Sequence, residues 1–450
     1  MRCLLDERIR ILDLDLEDGR QADLVEGLEK RFTHENPVYW DARRNRRPCR
    51  HIPREIRLFR REGAAEVSLP RGVSGLVRSL VAPFGATVED RRSAPAASLP
   101  PFRGELRDYQ QEAVDRLVEA EEGVLQAPTG SGKTVITAAL ISRVRVRTLI
   151  LVHTGVLLDQ TVERLRAFLG MEPGVIGAGR EDLRDVTVAM VQTLRRRDLA
   201  PLREAFGMVV LDECHHCPAD SFQSLVQAFA ARWRIGLTAT PTRKDRLHPV
   251  LYEVVGPLVH RVPARDLVAG GALVPVEVVE VETSFEARYR RNFARLVERL
   301  VRDPDRNACI VENVRRHRGQ RSLVLTDRVD HCHWLAEALG RQGLRTAFLT
   351  GEVPRDERQQ VLARLAGGEL DVLVATTSLV GEGFDLPELD TVFLTTPSGN
   401  VARTTQSLGR ALRPSPGKTR AVVVDFVDRR VPMLRNQAIR RARVYRGFRA

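Results

Sequence analysis

From Phe102 onward the chain keeps one rhythm: a short apolar run, a polar break, then a longer segment with apolar positions at helical spacing. In the first half the runs are Val124-Leu125, Thr148-Leu-Ile-Leu-Val152, Val186 to Met190, Gly207-Met-Val-Val-Leu-Asp212 and Ile235-Gly-Leu-Thr-Ala-Thr240. After an interruption the rhythm returns with Leu323-Val-Leu325, Thr346-Ala-Phe-Leu349, Val372-Leu-Val-Ala375, Val392-Phe-Leu394 and Ala421-Val-Val-Val424. Short apolar strands separated by helices predict an α/β fold with parallel sheets covered on both faces. The interruption, residues 263 to about 320, reads as strand-poor and arginine-rich, including Arg288 to Arg321. Residues 1–100 alternate strand-like pieces with polar breaks and form a separate small α+β module, followed by a linker-like stretch, Ser93-Ala-Pro-Ala-Ala-Ser-Leu-Pro-Pro101. The pattern divides the chain at 1–100, 101–262 and 263–450. After Asp428 comes a tail with eight arginines and no acid, either a mobile basic arm or a helix lying on a polyanion.

Composition adds a partner class. The 450 residues are 43% hydrophobic and 29% charged, as in a globular protein with ample core, and the net charge of +12 with a pI near 10.0 points to a polyanion. The sequence opens without an apolar signal core and contains no apolar run long enough to span a membrane. Six cysteines without framework spacing suggest reduced thiols, so a cytoplasmic protein is expected.

The first apolar run leads into Ala127-Pro128-Thr129-Gly130-Ser131-Gly132-Lys133-Thr134, and a helical run, Val135 to Ile141, follows. Strand, loop and helix in that order are what a phosphate-binding loop needs. Gly130 and Gly132 let the backbone approach a polyphosphate, and the loop N–H groups with the helix N-terminus favour anionic oxygens. Lys133 reaches the β/γ-phosphates of ATP and Thr134 holds Mg²⁺ through its hydroxyl. The usual pattern opens on Gly where this chain has Ala127. The lysines strengthen the reading: Lys and Arg total 71, yet the only lysines are Lys30, Lys133, Lys244 and Lys418. A compact ammonium at the one position that suits a phosphate is a meaningful exception.

Asp212-Glu213-Cys214-His215 directly follows a buried strand. Asp212 is placed to hold Mg²⁺ through water, and Glu213 to orient and activate the attacking water. These segments, with Thr238-Ala-Thr-Pro241, Gly381-Glu-Gly-Phe-Asp385 and Gln406-Ser-Leu-Gly-Arg-Ala-Leu-Arg413, stand in the order and spacing of superfamily 2 helicases. The chain most resembles the XPB/UvsW branch of the DEAD/DEAH-type proteins, over roughly residues 100 to 430. The first hundred residues resemble the DNA-contacting N-terminal module of that branch. Asn36-Pro-Val-Tyr-Trp40 and Leu69-Pro-Arg-Gly72 are similar to helicase regions of bacterial TOTE conflict systems.

The resemblance implies two RecA-like lobes in tandem with ATP between them. It implies that Gln110, in Leu106-Arg-Asp-Tyr-Gln110, contacts adenine with Arg107 nearby, and that Thr238 and Thr240 couple nucleotide state to strand movement. Gly381 and Asp385 would sense nucleotide from the second lobe. Gln406, Arg410 and Arg413 would line the site, with both arginines facing the γ-phosphate. His153, Thr154, Gln192 and Thr193 match regions that hold the nucleic-acid backbone. Cys214 stands where better-known members carry Ala or Val and is expected to pack behind the site.

Other clusters add less. Cys214-His-His-Cys217 has metal-binding residue types, but four adjacent ligands do not easily surround one tetrahedral ion. His331-Cys-His333 opens a predicted helix, where packing or surface placement is expected. Arg43 to Arg61 holds nine arginines beside Tyr39 and Trp40. That run suits base stacking with phosphate contact, or else it is a solvated arginine face. The expected activity is that of an ATP-dependent helicase or translocase on single-stranded, duplex or forked DNA. The other readings are the motor of a restriction or anti-phage system, an RNA helicase, and a non-hydrolysing nucleic-acid clamp. Lys133, Asp212, Glu213, Arg410 and Arg413 together argue against the last. Because every nucleotide motif follows Phe102, deleting residues 1–100 is expected to spare basal ATPase.

Overall fold

The computed structural model describes every residue except 217–219, 242–244, 246, 290–291, 382–388, 398–408, 410–413, 416, 447 and 449–450. By internal contacts the chain forms two units, Met1–Gln126 with Lys133–Arg261, and Ala127–Gly132 with Val262–Ala450.

In the first unit, residues 1–100 hold β1 (Arg2–Leu5), β2 (Arg8–Leu12), β3 (Thr33–Glu35), β4 (Glu55–Arg57), β5 (Arg60–Gly63), β6 (Glu66–Pro70) and β7 (Thr87–Asp90). Five of them form a sheet in the order β5-β6-β2-β1-β7, antiparallel except for the β1–β7 pair, while β3 and β4 pair separately. Cys3, Leu5, Ile9, Ile11, Val67 and Leu69 of this sheet are buried with Val25, Leu28, Val77 and Val81 from two helices, Gly19–Arg31 and Ser74–Val81.

The apolar cluster does not stop there. It continues through Val124, Leu149, Leu211, Phe222, Phe229 and Val254, so the module and the following α/β sheet share one core. Leu69-Pro-Arg-Gly72 locks the two together. Arg71 is fully buried, meets Glu122 at 2.5 Å and donates to the carbonyls of Asp6 at 2.8 Å and Ala231 at 2.6 Å. A Cβ on Gly72 would stand 2.5 Å from the backbone of Tyr252 and Gly256, so only glycine permits this approach. His34 bonds Glu253 at 2.7 Å, and Arg203 pairs with Glu7.

The stretch expected to be a linker is instead tied down. Ser93 N–H donates to Ala230 at 2.8 Å, Ala97 N–H to Arg145 at 3.0 Å and Arg147 N–H to Pro95 at 2.9 Å. The prolines fix their own φ and push the residue before each toward extended backbone, which pairs readily with an ordered neighbour.

The large sheet comprises β8 (Glu122–Gln126), β9 (Thr148–Val152), β10 (Gly174–Gly177), β11 (Arg180–Asp182), β12 (Val186–Met190), β13 (Met208–Asp212), β14 (Trp233–Thr238) and β15 (Leu258–Arg261). Their order is β11-β10-β12-β9-β13-β14-β8-β15, parallel except for the β10–β11 hairpin. Uniformly apolar strands and helical crossovers produce this arrangement, as the sequence rhythm predicts.

The second unit carries β16 (Val276–Glu282), β17 (Ser322–Thr326), β18 (Thr346–Leu349), β19 (Val372–Thr376), β20 (Thr391–Leu394) and β21 (Ala421–Val427), all parallel in the order β16-β21-β20-β17-β19-β18. β16 corrects the strand-poor reading of residues 263–320. Its Val-Glu-Val-Val-Glu-Val-Glu sequence suits an edge strand with solvated carboxylates, and Glu277 and Glu280 pair with Arg420 and Arg429 at 2.8 and 2.5 Å. The basic tail forms a helix, Pro432–Arg446, docked by a buried polar group: Arg441 grips Asp425 at 2.8 and 2.9 Å, and the Tyr445 hydroxyl donates to it at 2.7 Å.

His331 is buried, with its ring nitrogens 2.8 Å from Thr326 Oγ1 and 3.1 Å from Asn307 Oδ1. Burial, aided by the Arg306 charge, pushes its pKa down to about 3. The fold holds the neutral ring, so this contribution is complete above the ordinary histidine value near 6.5 and is lost as pH falls toward the folded value. The wild-type melting temperature is expected to drop more between pH 7 and pH 4 than that of His331→Gln. Equal drops in paired melts would show that proton uptake lies elsewhere.

Candidate active site

Strands β9, β13, β14 and β8 are consecutive and parallel, so their C-terminal ends lie side by side. Functional residues of parallel sheets sit at such ends. Here β8 runs into the loop 127–132 and then into the helix Lys133–Val144. β14 ends at Thr238, in register with Gln126, and β13 ends at Asp212, in register with Leu237. His153 and Thr154 follow β9 directly.

Gly130 and Gly132 turn the loop with φ of 90° and 77°, a region that other residues rarely adopt. Lys133 Nζ lies 3.5 Å from Glu213 Oε1. Glu213 itself has φ of 49°, unusual for a glutamate, and its N–H donates to Asp212 Oδ1 at 3.0 Å. Cys214 is fully buried, and a Cβ on the neighbouring Gly236 would come within 2.8 Å of its sulfur. The cysteine therefore packs behind the site, as the sequence reading expects, in space that a glycine leaves open.

His215 is the residue that sequence reasoning undervalued. Its Nδ1 lies 3.3 Å from Glu213 Oε2 and 3.1 Å from Thr238 Oγ1, which accepts the Thr240 N–H at 3.2 Å. One polar chain thus runs from Lys133 through Glu213 and His215 to Thr238 and Thr240. The signal available in sequence was its place three residues after Asp212, but without the β13–β14 pairing nothing aimed it at Thr238.

The electrostatics are those of a crowded acidic pocket. Burial first, then the Glu213 charge, raise the Asp212 carboxyl above the ordinary range, while Lys133 opposes this. Burial, then the neighbouring His215, push His153 down to about 4, so its ring is neutral at pH 7. That ring stacks on Phe222 with centroids 5.1 Å apart.

The residues matched to nucleic-acid contact also meet in part. Gln192 Nε2 donates to the His153 carbonyl at 2.7 Å, and Thr154 caps the helix Gly155–Leu169 by accepting the Leu157 N–H at 3.3 Å. Thr193 lies beside Gln192 in the short helix Val191–Leu194. At the other end of the motif set, Gln110 is buried at the start of the helix Asp108–Ala120, its Oε1 accepting the Arg107 N–H at 3.0 Å. Gly381 ends the helix Thr377–Gly381 after β19, whereas Asp385, Gln406, Arg410 and Arg413 lie outside the described residues.

These groups fit a nucleotide with a divalent cation. Burial and the Glu213 charge raise the cost of ionising Asp212, which a dication relieves. The buried hydroxyls of Thr129 and Thr240 have no hydrogen-bond partner among the described residues.

Residues 103–243 match the family described as "Type III restriction enzyme, res subunit", and residues 305–415 match "Helicase conserved C-terminal domain". The chain is 27% identical over 353 residues to "DNA 3'-5' translocase XPB2" of Sulfurisphaera tokodaii, covering 69% of this chain and 79% of the relative. It is 27% identical over 372 residues to "Probable helicase D10" of Escherichia phage T5, covering 80% and 79%. It is also 32% identical over 325 residues to "DNA 3'-5' helicase XPB" of Kineococcus radiotolerans, covering 69% and 57%. A solved fragment of an HsdR subunit of a type I restriction enzyme from Vibrio vulnificus shares the fold with a TM-score of 0.58, at 21% identity over 72% of this chain and 65% of that one. No helix among the described residues is long and apolar enough to cross a membrane. Two matched family regions in order along the chain, and XPB-type relatives across most of its length, make this protein a member of the superfamily 2 helicases, similar to XPB proteins.

Proposed function

We propose that this chain is an ATP-driven motor that moves along or unwinds DNA. The observation that carries the reading is the polar chain from Lys133 through Glu213 and His215 to Thr238 and Thr240, because it joins groups suited to phosphate chemistry to groups suited to reporting it. Loop N–H groups and the Lys133 ammonium bind the β/γ-phosphates of ATP. Gln110, held by the Arg107 backbone through its Oε1, contacts adenine. Thr134 and Asp212 would hold magnesium, which when bound would neutralise phosphate charge. Glu213 orients a water and takes its proton as the oxygen attacks the γ-phosphorus. The bond to the β-phosphate oxygen breaks, and ADP and phosphate are released. Arg410 and Arg413 neutralise charge on the moving phosphoryl group. Loss of the γ-phosphate alters the pull on Glu213, and His215 transmits that change to Thr238. Gly381 and Asp385 sense the nucleotide, and His153, Thr154, Gln192 and Thr193 hold the DNA backbone.

DNA is preferred to RNA because three of the most similar relatives carry DNA in their printed names, and the same names motivate 3'-to-5' polarity. The net charge of +12 fits either polymer. The test is ATP hydrolysis with single-stranded DNA, duplex DNA, forked DNA and RNA, in the wild type and in Arg410→Ala and Arg413→Ala. DNA is expected to stimulate most. Loss of an arginine of this kind is expected to cost on the order of 10³ to 10⁵ in rate, and Arg410→Lys should fail as well, for want of the planar fork. Stimulation by RNA alone would transfer the reading to an RNA helicase. The match to a restriction-enzyme subunit family favours a second reading, the motor of a restriction or defence system. A purified chain that translocates yet cleaves DNA only with an added nuclease subunit would support it.

A further inference from the structure

The second unit holds a cavity of about 830 Å³, enclosed by the helix Phe293–Val301, the first turn of the helix Pro304–Arg316 and the first turns of the helix Val329–Arg341. Its aromatic wall is Trp334, left 41% exposed on the surface of its helix. The His331 ring lines the same cavity, nearly parallel to the indole at 16° with centroids 6.5 Å apart. Thr326 and Asn307 hold that ring in place.

The rim is cationic. Arg295, Arg302 and Arg328 line it against Glu298 and Asp330. Arg302 is paired with Glu298 at 3.2 Å, whereas Arg295 and Arg328 form no ion pair among the described residues. The helix that carries Arg295 buries Leu296, Val297 and Leu300 and turns its arginines outward, so the cations are held on a rigid element. Arg295 and Arg302 of the arginine-rich stretch thus line a cavity that holds an exposed indole.

A cavity that offers an indole face and three guanidinium groups against two carboxylates matches a flat ring joined to anions. We propose that it seats a nucleobase of single-stranded nucleic acid, with the base stacked on Trp334 and the flanking phosphates on Arg295 and Arg328. The volume accommodates a nucleotide, lying within the range of roughly 300–1,000 Å³ usual for small-molecule sites. The proposal rests on the reading of this chain as a nucleic-acid motor and adds a base-reading contact distinct from the β9 and β12 strand ends.

The experiment compares a labelled oligothymidine with an abasic oligonucleotide of equal length, by fluorescence anisotropy on the full chain. Wild type is expected to prefer the base-bearing strand by about tenfold, the scale of one stacked base. Trp334→Ala should bring the two strands to similar affinity, and Trp334→Phe should keep most of the preference. Arg295→Gln with Arg328→Gln should weaken both strands alike. An unchanged preference in Trp334→Ala overturns the proposal while leaving the motor reading in place, as does a wild type that binds both strands equally. A wild type that binds neither strand overturns the proposal, and one that also binds neither duplex nor forked DNA removes the motor reading as well.

Discussion

Glu213→Gln is expected to bind ATP at least as tightly as the wild type and to hydrolyse it roughly 10² to 10⁴ times more slowly, the usual worth of a positioned general base. The amide keeps the shape of the carboxylate and its place beside His215, but it takes no proton from water. It also releases Lys133 from a carboxylate 3.5 Å away, which favours the phosphates as the lysine's partner. Lys133→Ala should fail in the opposite manner, losing nucleotide affinity as well as turnover, because the charge facing the phosphates is gone. Binding of a fluorescent ATP analogue, read beside phosphate release, separates the two patterns. A Glu213→Gln protein that turns over at the parental rate would end the assignment of the water to this residue.

Deleting residues 1–100 is expected to leave a first lobe that does not fold. This reverses the expectation from sequence, where every nucleotide motif lies beyond the deleted part. The deletion strips Leu5, Ile11, Phe32 and Leu69 from a core that also contains Val124 and Leu211, and it leaves Glu122 buried without Arg71. Removing one partner of a buried pair costs about 3–5 kcal/mol, a large part of the roughly 5–15 kcal/mol that holds a domain together. The milder Arg71→Ala leaves Glu122 with Arg92 at 3.4 Å and should lower the melting temperature of the full chain by on the order of 5 °C. A soluble truncated protein with wild-type ATPase and melting temperature would show that the two sheets are independent.

The parallel sheets were legible because strands buried on both faces write themselves as uninterrupted apolar runs, as in Thr148–Val152 and Val372–Thr376. The loop 127–132 and the Asp212-Glu213 pair stood out in the sequence because the chemistry proposed for them demands particular residues at fixed spacing. What escaped was whatever depends on pairing. β16 reads as a charged segment until Ala421–Val427 is laid beside it, and the proline-rich stretch after Ser93 reads as a tether until Arg145 and Arg147 bond to it. Arg71 looks like one more arginine in a chain full of them. Only the approach of Glu122, more than fifty residues away in sequence, makes it a buried counter-ion. His215 is the same case within the site, since its role depends on a threonine carried by the neighbouring strand.

The shared core of the first unit also has a mechanical meaning. A module hung on a flexible linker would behave as a spring in series with the motor, and part of each stroke would be spent in stretching it. Here Arg71, Gly72 and the bonded stretch after Ser93 leave little slack. The helix bearing Tyr39 and Trp40 starts directly after β3, whose His34 is held by Glu253. Any load on that aromatic face is therefore delivered to the sheet that carries Glu213 without passing through a compliant element, so force and chemistry share one rigid frame.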